Sequence, residues 1–587
     1  MKILTNHLGY ETADYKKAVY QGEEGDGAER FSLVDESSGE TAFSGTAQYA
    51  GPVGRWNTGS YWTMDFSPVQ KPGTYVVELE TNRGKVRSFP FEITVCQHSM
   101  RMLNAVTYYF KAQRSTGEWL AEDRCLPFHG EREGVRDVHG GWFDATGDCG
   151  IRMSHLSHST THNPQQQLGW SAYVFFQAAD LLMESGNKNY SILERRMLDE
   201  GTFGADFIMR MQAPSGSFFT AILRRDSFGC VHGNRGLGFE YHHSSDQFSE
   251  KAETADEETI GDENYEVSFR SGGGMCIAAL AAASRHYYPG TDFTQGQYIA
   301  AAKRAWDTLY YNNERYTNDG QWNLIDEYCA LFAATELYKA TREYAYLVRA
   351  EEMAGRIMNR MLPIGDALAW FEVLPGEPFY SASDEGMPVL ALLAFAEIEP
   401  DAREKARAEA SAEKAMRWCL HLASQCVNPF GYPRYQYRDA DGRIVNRFFY
   451  CHESSAKPWW QGDNARLASL SSAARAVAER TSDRQLQEDL LRFAQDQLNW
   501  IMGCNPFDAC MIEGYGRNNI QYFFKGRYDF MNCPGGICNG ITSALHDEEG
   551  IAFIRKPTDE IDDNWRWAEQ WIPHASWFLL ANALKKR

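Results

Sequence analysis

The chain has 587 residues, of which 43% are hydrophobic and 13% aromatic, so it can build more than one domain around a sizeable core. Its formal net charge of −21 argues against nucleic acid and anionic membrane surfaces as partners. The same charge suits a neutral or cationic substrate, and it also favours plain solubility. No apolar run approaches the length that spans a membrane.

The cysteines and the first residues indicate the cellular compartment in which the protein is expected. The thirteen cysteines are an odd number without a tight framework, and the opening residues Met1 to Leu4 show no signal-peptide pattern. Thiols persist in a reducing environment. We therefore expect a cytoplasmic protein.

Residues 1–96 have the pattern of a small β domain. Short alternating runs are separated by turns rich in Gly and Asp, and Pro72-Gly73 is a strong turn signal. The clearest runs are 18–20, 31–34, 61–66, 74–79 and 89–95. About seven strands in fewer than a hundred residues predict a sandwich.

From residue 98 the hydrophobic period changes from two to 3.6, as in Met275, Ala278, Ala279 and Ala282. Twelve helical segments result: 98–114, 165–185, 191–212, 273–287, 296–311, 323–341, 343–361, 384–398, 401–425, 462–480, 482–502 and 569–585. Six helical hairpins are the content of an α/α barrel, and a superhelical stack of hairpins has the same pattern. No repeat of fixed period supports a simple solenoid.

Four long loops interrupt the helices, at 115–164, 213–272, 426–461 and 503–568. The second carries an acidic run that ends at Glu266. This run is consistent with a lid, an oligomer contact or simply a solvated loop.

The first loop contains the most informative stretch, residues 140–150, which carries Asp144 and Asp148 among glycines and two aromatic residues. Glycine lets the backbone approach a ligand closely, and two carboxylates can hold one water molecule. One alternative is a turn whose aspartates cap nearby helices. The glycines, Trp142 and Phe143 favour a functional site.

This stretch resembles the aspartate loop G-G-W-x-D-A-G-D of the inverting glycoside hydrolases of family 9. Thr146 is an extra residue between the aspartates, a variant similar to exo-acting members. Residues 65–75 are similar to the immunoglobulin-like module that precedes many catalytic domains of this family. The resemblance implies a multidomain protein: a small all-β immunoglobulin-like sandwich at 1–96, which braces an all-α (α/α)6 barrel at 97–587.

The resemblance also implies catalytic roles. It places a general acid at Glu569, a general base at Asp148 and a water-holding aspartate at Asp144. An inverting pair lies about 6.5–9.5 Å apart, which leaves room for water. Trp565, Trp567 and Trp571 are positioned to desolvate Glu569. The alternative is a first-turn glutamate that the helix dipole stabilises.

Substrate contacts are predicted in a second region. A tryptophan pair followed by amide, acid and arginine side chains resembles the sugar-binding segment of exo-acting members, and a buried tryptophan pair is the alternative. The predicted substrate-binding residues are Trp142, His155, His452, Glu453, Trp459, Trp460, Asp463, Asn464 and Arg466.

We predict neither a cofactor nor a metal. The histidines near His155 lack zinc-site spacing, so sugar contacts or loop packing explain them better. A structural metal at Cys125, His129, His139 and Cys149 is a lesser alternative, because the spacing is irregular.

The family's endoglucanases carry a His-His-Arg motif after a segment that corresponds to 503–506, and this chain has Gly514 to Asn519 instead. This departure favours an exo enzyme, most similar to the family's cytoplasmic exo-β-D-glucosaminidases, acting on chitosan oligosaccharides as a monomer or homodimer. The alternatives are an exo-β-glucosidase or cellobiase, an endoglucanase, and a non-catalytic carbohydrate-binding protein. A polysaccharide lyase is disfavoured by the negative charge.

Overall fold

The computed structural model describes residues 1–146, 167–224, 235–239, 261–317, 319–439, 441–449, 461–524, 527–528, 532–544, 547–559 and 561–586. Within these ranges an all-β N-terminal region precedes a helical region. None of the helices described there combines the length and the apolar character needed to cross a membrane.

The N-terminal region consists of ten strands in two sheets. One sheet has the order β1-β3-β7-β6, and the other has the order β2-β10-β8-β4-β5 with β9 paired to β8. The strands are β1 Lys2–Leu4, β2 Tyr10–Glu11, β3 Lys17–Gly22, β4 Ala28–Asp35, β5 Thr41–Thr46, β6 Gln48–Pro52, β7 Ser60–Asp65, β8 Gly73–Thr81, β9 Gly84–Arg87 and β10 Phe91–Thr94.

Alternation of side chains builds the core between these sheets. Tyr20 of β3 lies opposite Trp62 of β7 in the antiparallel register, and both are buried against residues such as Leu33 and Val77 of the other sheet. The predicted all-β region is confirmed. The structure has more strands than the predicted seven because β1, β2 and β9 are too short to show a period.

The helical region contains twelve long helices within the described residues, and each overlaps one predicted segment. They are accompanied by two short helices, α2 and α13. The helices are α1 Gln97–Gln113, α2 Gly117–Glu122, α3 Leu168–Glu184, α4 Ser191–Met211, α5 Gly274–Arg285, α6 Gln295–Tyr316, α7 Leu324–Thr341, α8 Tyr344–Asn359, α9 Met387–Ile398, α10 Ala402–Ser424, α11 Asn464–Ala478, α12 Arg484–Ile501, α13 Trp565–Ala568 and α14 Ile572–Ala583.

These helices form a closed barrel of two rings. In the inner ring α3, α5, α7, α9 and α11 each contact the next, and α14 joins α11 back to α3. The outer ring consists of α1, α4, α6, α8, α10 and α12. Five inner–outer pairs are consecutive hairpins, whereas the sixth joins α14 to α1 and so brings the two ends of the helical region together. The closed ring excludes the open superhelix.

Burial explains which helices lie inside. Every residue of α11 is buried, whereas only four residues of α10 are. An all-round buried helix belongs in a core, and a one-sided helix belongs at a surface.

The topology gives the barrel two different ends. At the end where the inner helices begin, which we call the loop end, the long connections add small sheets. At the opposite end, the base, connections such as 342–343 and 399–401 are short. The strands beyond the sandwich are β11 Leu126–Pro127, β12 Val135–Arg136, β13 Ile222–Arg224, β14 Arg235–Leu237, β15 Met361–Ile364, β16 Leu368–Leu374, β17 Glu377–Pro378, β18 Tyr435–Arg438, β19 Ile444–Arg447, β20 Thr542–Ala544 and β21 Asp547–Ala552.

The sandwich is fixed to the barrel by buried contacts, as a bracing role requires. Lys17 Nζ lies 2.7 Å from Asp496 Oδ2, and Asn6 Nδ2 donates to Asn499 Oδ1 at 3.0 Å. Burial raises the pKa of Asp496 to about 6, while the Lys17 ammonium opposes that rise. Trp56 packs against Phe430 at the same junction.

Candidate active site

The predicted catalytic carboxylates that the structure describes lie at the loop end. Asp144 lies near the end of the described part of the first loop, which ends at Thr146, and Glu569 lies just before the last inner helix, α14. The inner helices all begin at this end, so the positive ends of their dipoles point toward it. Such a position favours carboxylates.

The aspartate loop rests on a fully buried tryptophan. Trp142 is 0% exposed, contacts Phe110 and Phe175, and donates from Nε1 to Glu200 Oε2 at 3.1 Å. A Cβ at Gly141, where φ is +74°, would lie 2.6 Å from the Phe207 ring, so glycine is needed there. Trp142 therefore supports the loop from beneath, and its burial gives no support to the predicted direct contact with substrate.

A short antiparallel ladder joins the aspartate loop to the segment that carries Glu569. The carbonyl of Asp144 accepts a hydrogen bond from the Ile572 amide at 2.9 Å, and the Thr146 amide donates to the Gln570 carbonyl at 2.9 Å. Thr146 Oγ1 also donates to Gln570 Oε1 at 3.0 Å. The extra residue of the loop thus binds the immediate neighbour of Glu569.

Asp144 and Glu569 share one neighbourhood. Burial raises the pKa of the Tyr109 phenol well above its usual value, and the negative charges of Asp144 and Glu569 both add to that rise. The Tyr109 hydroxyl donates to the Gln570 carbonyl at 3.2 Å. The fold therefore brings together two carboxylates that are far apart in sequence.

Glu569 is half-buried and lies outside the last helix. Its amide donates to the Trp565 carbonyl at 3.1 Å, and its carbonyl accepts from the Asn539 amide at 2.8 Å. Asn539 Nδ2 lies 3.4 Å from Glu569 Oε2. The predicted helix start at 569 is wrong: residues 570 and 571 form bridges to neighbouring segments, and the helix begins at Ile572. The alternative of a first-turn glutamate is thereby excluded.

The predicted residues at the start of α11 form a buried network. Asp463 is 3% exposed and accepts hydrogen bonds from the hydroxyls of Tyr432 at 2.8 Å and Tyr435 at 2.9 Å. Arg466 pairs with Glu385, and its guanidinium lies 3.5 Å from the centre of the Tyr435 ring. Burial raises the pKa of Asp463 to about 7, against the opposing charge of Arg466.

Asn464, the third residue of this group, donates from Nδ2 to the Cys538 carbonyl at 2.7 Å. It is 1% exposed, and Arg466 is 0% exposed. The side chains of Asp463, Asn464 and Arg466 thus all bind other protein groups at the loop end. The structure gives no support to their predicted direct contacts with a sugar.

Several predicted residues lie outside the described residues: Asp148, His155, His452, Glu453, Trp459, Trp460 and Cys149. The separation of the acid from the base and the tryptophan stacking surface therefore stay predictions.

Three of the four candidate metal ligands lie within the described residues, where they are engaged elsewhere or exposed. His129 Nε2 lies 2.9 Å from the Leu223 carbonyl, His139 Nδ1 lies 2.6 Å from Asp137 Oδ1, and Cys125 is exposed. In the described ranges, no group of three or more His, Cys, Asp or Glu side chains is arranged to hold a metal ion.

Comparisons with known proteins agree with this architecture. Residues 100–530 match the family described as glycosyl hydrolase family 9, and residues 1–83 match the cellulase N-terminal ig-like domain. None of the curated proteins compared with the chain matches it.

Solved structures share the whole fold at low identity. A metagenome-derived glycoside hydrolase family 9 endoglucanase superposes with a TM-score of 0.65 and 17% identity over 99% of this chain and 98% of its own. A Bacteroides ovatus GH9 protein gives 0.65 and 17% over 100% and 98%. The GH family 9 endoglucanase J30 gives 0.64 and 18% over 98% and 100%.

Proposed function

This chain belongs to glycosyl hydrolase family 9 and is a glycoside hydrolase, and we propose that it is an inverting exo-β-D-glucosaminidase. It would release glucosamine from the ends of β-1,4-linked chitosan oligosaccharides. The observation that supports an acid–base pair is the ladder between Asp144–Thr146 and Gln570–Ile572, because it holds the aspartate loop against the segment of Glu569. Inversion is what the resemblance to the family implies.

The proposed reaction uses three carboxyl groups. Glu569 protonates the glycosidic oxygen while the bond from that oxygen to the anomeric carbon breaks. A water molecule attacks the anomeric carbon from the opposite face and gives a proton to Asp148, and Asp144 orients that water. Glu569 must be protonated when Asp148 is ionised, and different surroundings can give two carboxyl groups these different protonation states.

The segment that replaces the His-His-Arg motif supports exo action. Asn519 Nδ2 donates to the carbonyls of Cys510, Ile512 and Tyr515 at 2.9–3.0 Å. Arg517 pairs with Asp508 at 2.6 Å, so its guanidinium is engaged within the segment. These contacts engage both side chains in stabilising a folded loop.

The choice of an amino sugar rests on charge. The net charge of −21 suits a cationic substrate, and an ammonium group needs a carboxylate partner in the pocket. Three carboxylates of the predicted site are candidates for this partner: Glu453, Asp463 and Asp144. Asp463 is enclosed by two tyrosine hydroxyls, which leaves Glu453 and Asp144 as the proposed ammonium partners. We also propose a cytoplasmic location, since the ten cysteines in the described ranges are free.

The second candidate is a glucan hydrolase. Two of the three solved structures reported above are described as endoglucanases, which favours a β-glucan substrate.

A substrate panel separates these candidates. Chitosan dimer, cellobiose, N-acetylglucosamine dimer and soluble cellulose are incubated with purified protein, and released sugars are quantified by chromatography. The proposal expects glucosamine from chitosan dimer at the highest kcat/KM. A preference for cellobiose supports the glucosidase alternative, and a rapid viscosity loss of soluble cellulose supports an endoglucanase.

The neutral variant Glu453→Gln should then lower kcat/KM on chitosan dimer by roughly a hundredfold, because it leaves a buried ammonium without its partner.

A further inference from the structure

A chain of three side chains leads from the barrel wall to the proposed acid. His574 Nε2 lies 2.7 Å from Asn539 Oδ1, and Asn539 Nδ2 points to Glu569 Oε2 at 3.4 Å. We call His574, Asn539 and Glu569 the relay. We propose that His574 and Asn539 are positioning residues that direct the proton of Glu569 to Oε1, an inference that rests on the proposed role of Glu569 as the acid.

The orientation of the Asn539 amide follows from its partners. Its Nδ2 faces two carbonyl-type acceptors, Glu569 Oε2 and the Trp565 main-chain oxygen at 2.8 Å, so this atom is the donor. Its main-chain amide donates to the Glu569 carbonyl at 2.8 Å. Asn539 is 0% exposed, so these contacts fix both its backbone and its side chain next to the acid.

His574 completes the orientation. It is fully buried, and this burial lowers its pKa to about 3, so the imidazole is neutral at working pH. A neutral imidazole has one N–H, and Asn539 Oδ1 can only accept, so the proton resides on Nε2. Among the described residues Nδ1 has no hydrogen-bond partner. The one hydrogen bond that the His574 side chain makes within the described residues is therefore the bond that holds Asn539.

The N–H of Asn539 at Glu569 Oε2 determines which oxygen of the acid carries the proton. In a protonated carboxyl group, the oxygen that accepts an N–H bond is the carbonyl oxygen, so the acidic proton occupies the other oxygen. After that proton moves to the glycosidic oxygen, the same N–H stabilises the charge left on the carboxylate. The distance of 3.4 Å is long, and catalytic hydrogen bonds commonly shorten when substrate binds.

The test uses leaving groups of different acidity. A β-glycoside with an alkyl or sugar leaving group needs proton donation, whereas a dinitrophenyl β-glycoside of the same sugar departs without it. Asn539→Leu should lower kcat/KM on the first substrate by roughly tenfold to a hundredfold, the lower range of acid catalysis, and change it less than about threefold on the second. An equal loss on both substrates would show a structural role and overturn the proposal.

His574 supplies a second pair of variants in case Asn539→Leu does not fold. His574→Gln keeps an N–H that can reach Asn539 and should retain most activity, whereas His574→Phe should repeat the leaving-group pattern. Equal activities of these two variants on the alkyl glycoside overturn the relay.

Glu569→Gln tests the role of Glu569 as the acid separately from the roles of Asn539 and His574. It should show the same leaving-group pattern in a stronger form. If Glu569→Gln loses both substrates equally or neither, the acid assignment fails. If only the Asn539 and His574 variants lack the pattern, the acid assignment stands and the relay alone fails.

Discussion

Glu336 at the base of the barrel and Glu569 at the loop end have different partners. At the base, Glu336 is 0% exposed and pairs with Arg285 and with Lys339, whose Nζ lies 3.1 Å away. Glu397 joins Lys339 at 3.3 Å. At the loop end, Glu569 is contacted by the neutral amide of Asn539, and the ladder beside it is held by the Tyr109 and Thr146 hydroxyls.

These surroundings move carboxyl pKa values in opposite directions. Burial alone would raise the pKa of Glu336, but Lys339 and Arg285 outweigh it and hold that pKa below its usual value. At the loop end burial dominates: it raises the pKa of Asp463 to about 7 and also raises the pKa of Glu385. One ring of helices thus provides a base where ion pairs favour the charged carboxylate and a loop end where burial favours the protonated form of Asp463 and Glu385.

Removal of the proposed catalytic carboxyl groups should cause the greatest loss of activity. Asp148→Asn and Glu569→Gln should each lower kcat about 10²–10⁴-fold with the fold intact, because each group moves a proton in the transition state. Glu397→Gln at the base is the matched control and should keep kcat within twofold. Steady-state kinetics and circular dichroism give both readouts, and a loss below tenfold removes that residue from the mechanism.

The base should respond in stability instead of activity. Glu336→Gln leaves Arg285 and Lys339 without their buried partner and should cost on the order of 3 kcal/mol in the free energy of unfolding. Activity per folded molecule should not change. Because the pKa of Glu336 is lowered on folding, its contribution is present above about pH 4.5 and fades as pH falls.

Urea denaturation at pH 7 and pH 4 measures this effect. Glu397→Gln, a side chain that is 39% exposed, serves as control and should lose less than about 1 kcal/mol. Similar losses of unfolding free energy from Glu336→Gln and Glu397→Gln would contradict a special stabilising role for the buried ion pairs of Glu336.

The loop end should show the opposite pH dependence. The pKa of Asp463 rises from about 4 in the unfolded chain to about 7 in the fold, so the native state binds the extra proton and loses stability as pH rises between these values. Asp463→Asn removes that loss. Relative to wild type, its unfolding free energy should gain on the order of 2 kcal/mol between pH 5 and pH 8. Thermal or urea unfolding at both values tests the sign, with exposed Asp441→Asn as the flat control.

The smallest expected effect concerns the ladder. Thr146→Val keeps the shape of the side chain but removes the hydroxyl that donates to Gln570, which is worth about 1 kcal/mol for a neutral hydrogen bond. A roughly threefold to tenfold drop in kcat at constant KM should follow, because the two catalytic segments are held less firmly. Thr146→Ser should behave as wild type, and a changed KM with an unchanged kcat would assign Thr146 to substrate binding.

Sequence periodicity predicted the helices well because they are long. The segment predicted at 165–185 corresponds to α3, which spans Leu168–Glu184. Periodicity does not report spatial pairing, so it gave no sign that the sixth pair joins α1 with α14. It also misplaced the start of α14, because the bridges of Gln570 and Trp571 to distant segments depend on tertiary structure.

The candidate site was predictable only where residues belong to a motif. The motifs predict Asp144 and Glu569 as catalytic candidates, and the structure places both close enough to influence Tyr109, while their roles stay predictions. Trp142 and Arg466 have the chemistry of sugar-binding residues, and only the fold shows that both are buried. Asn539 and His574 are neutral residues without a recognisable spacing, so only the fold shows that His574 binds Asn539 and that Asn539 binds Glu569.

The central claim, that Glu569 and the aspartate loop act as an inverting acid–base pair, is tested most directly by the anomer of the first product. Proton NMR during the first minutes of hydrolysis of a β-linked oligosaccharide distinguishes the α-anomer from the β-anomer before mutarotation. Attack by water held at the aspartate loop predicts the α-anomer first. An initial β-anomer would show retention and contradict the assignment of Asp148 as general base.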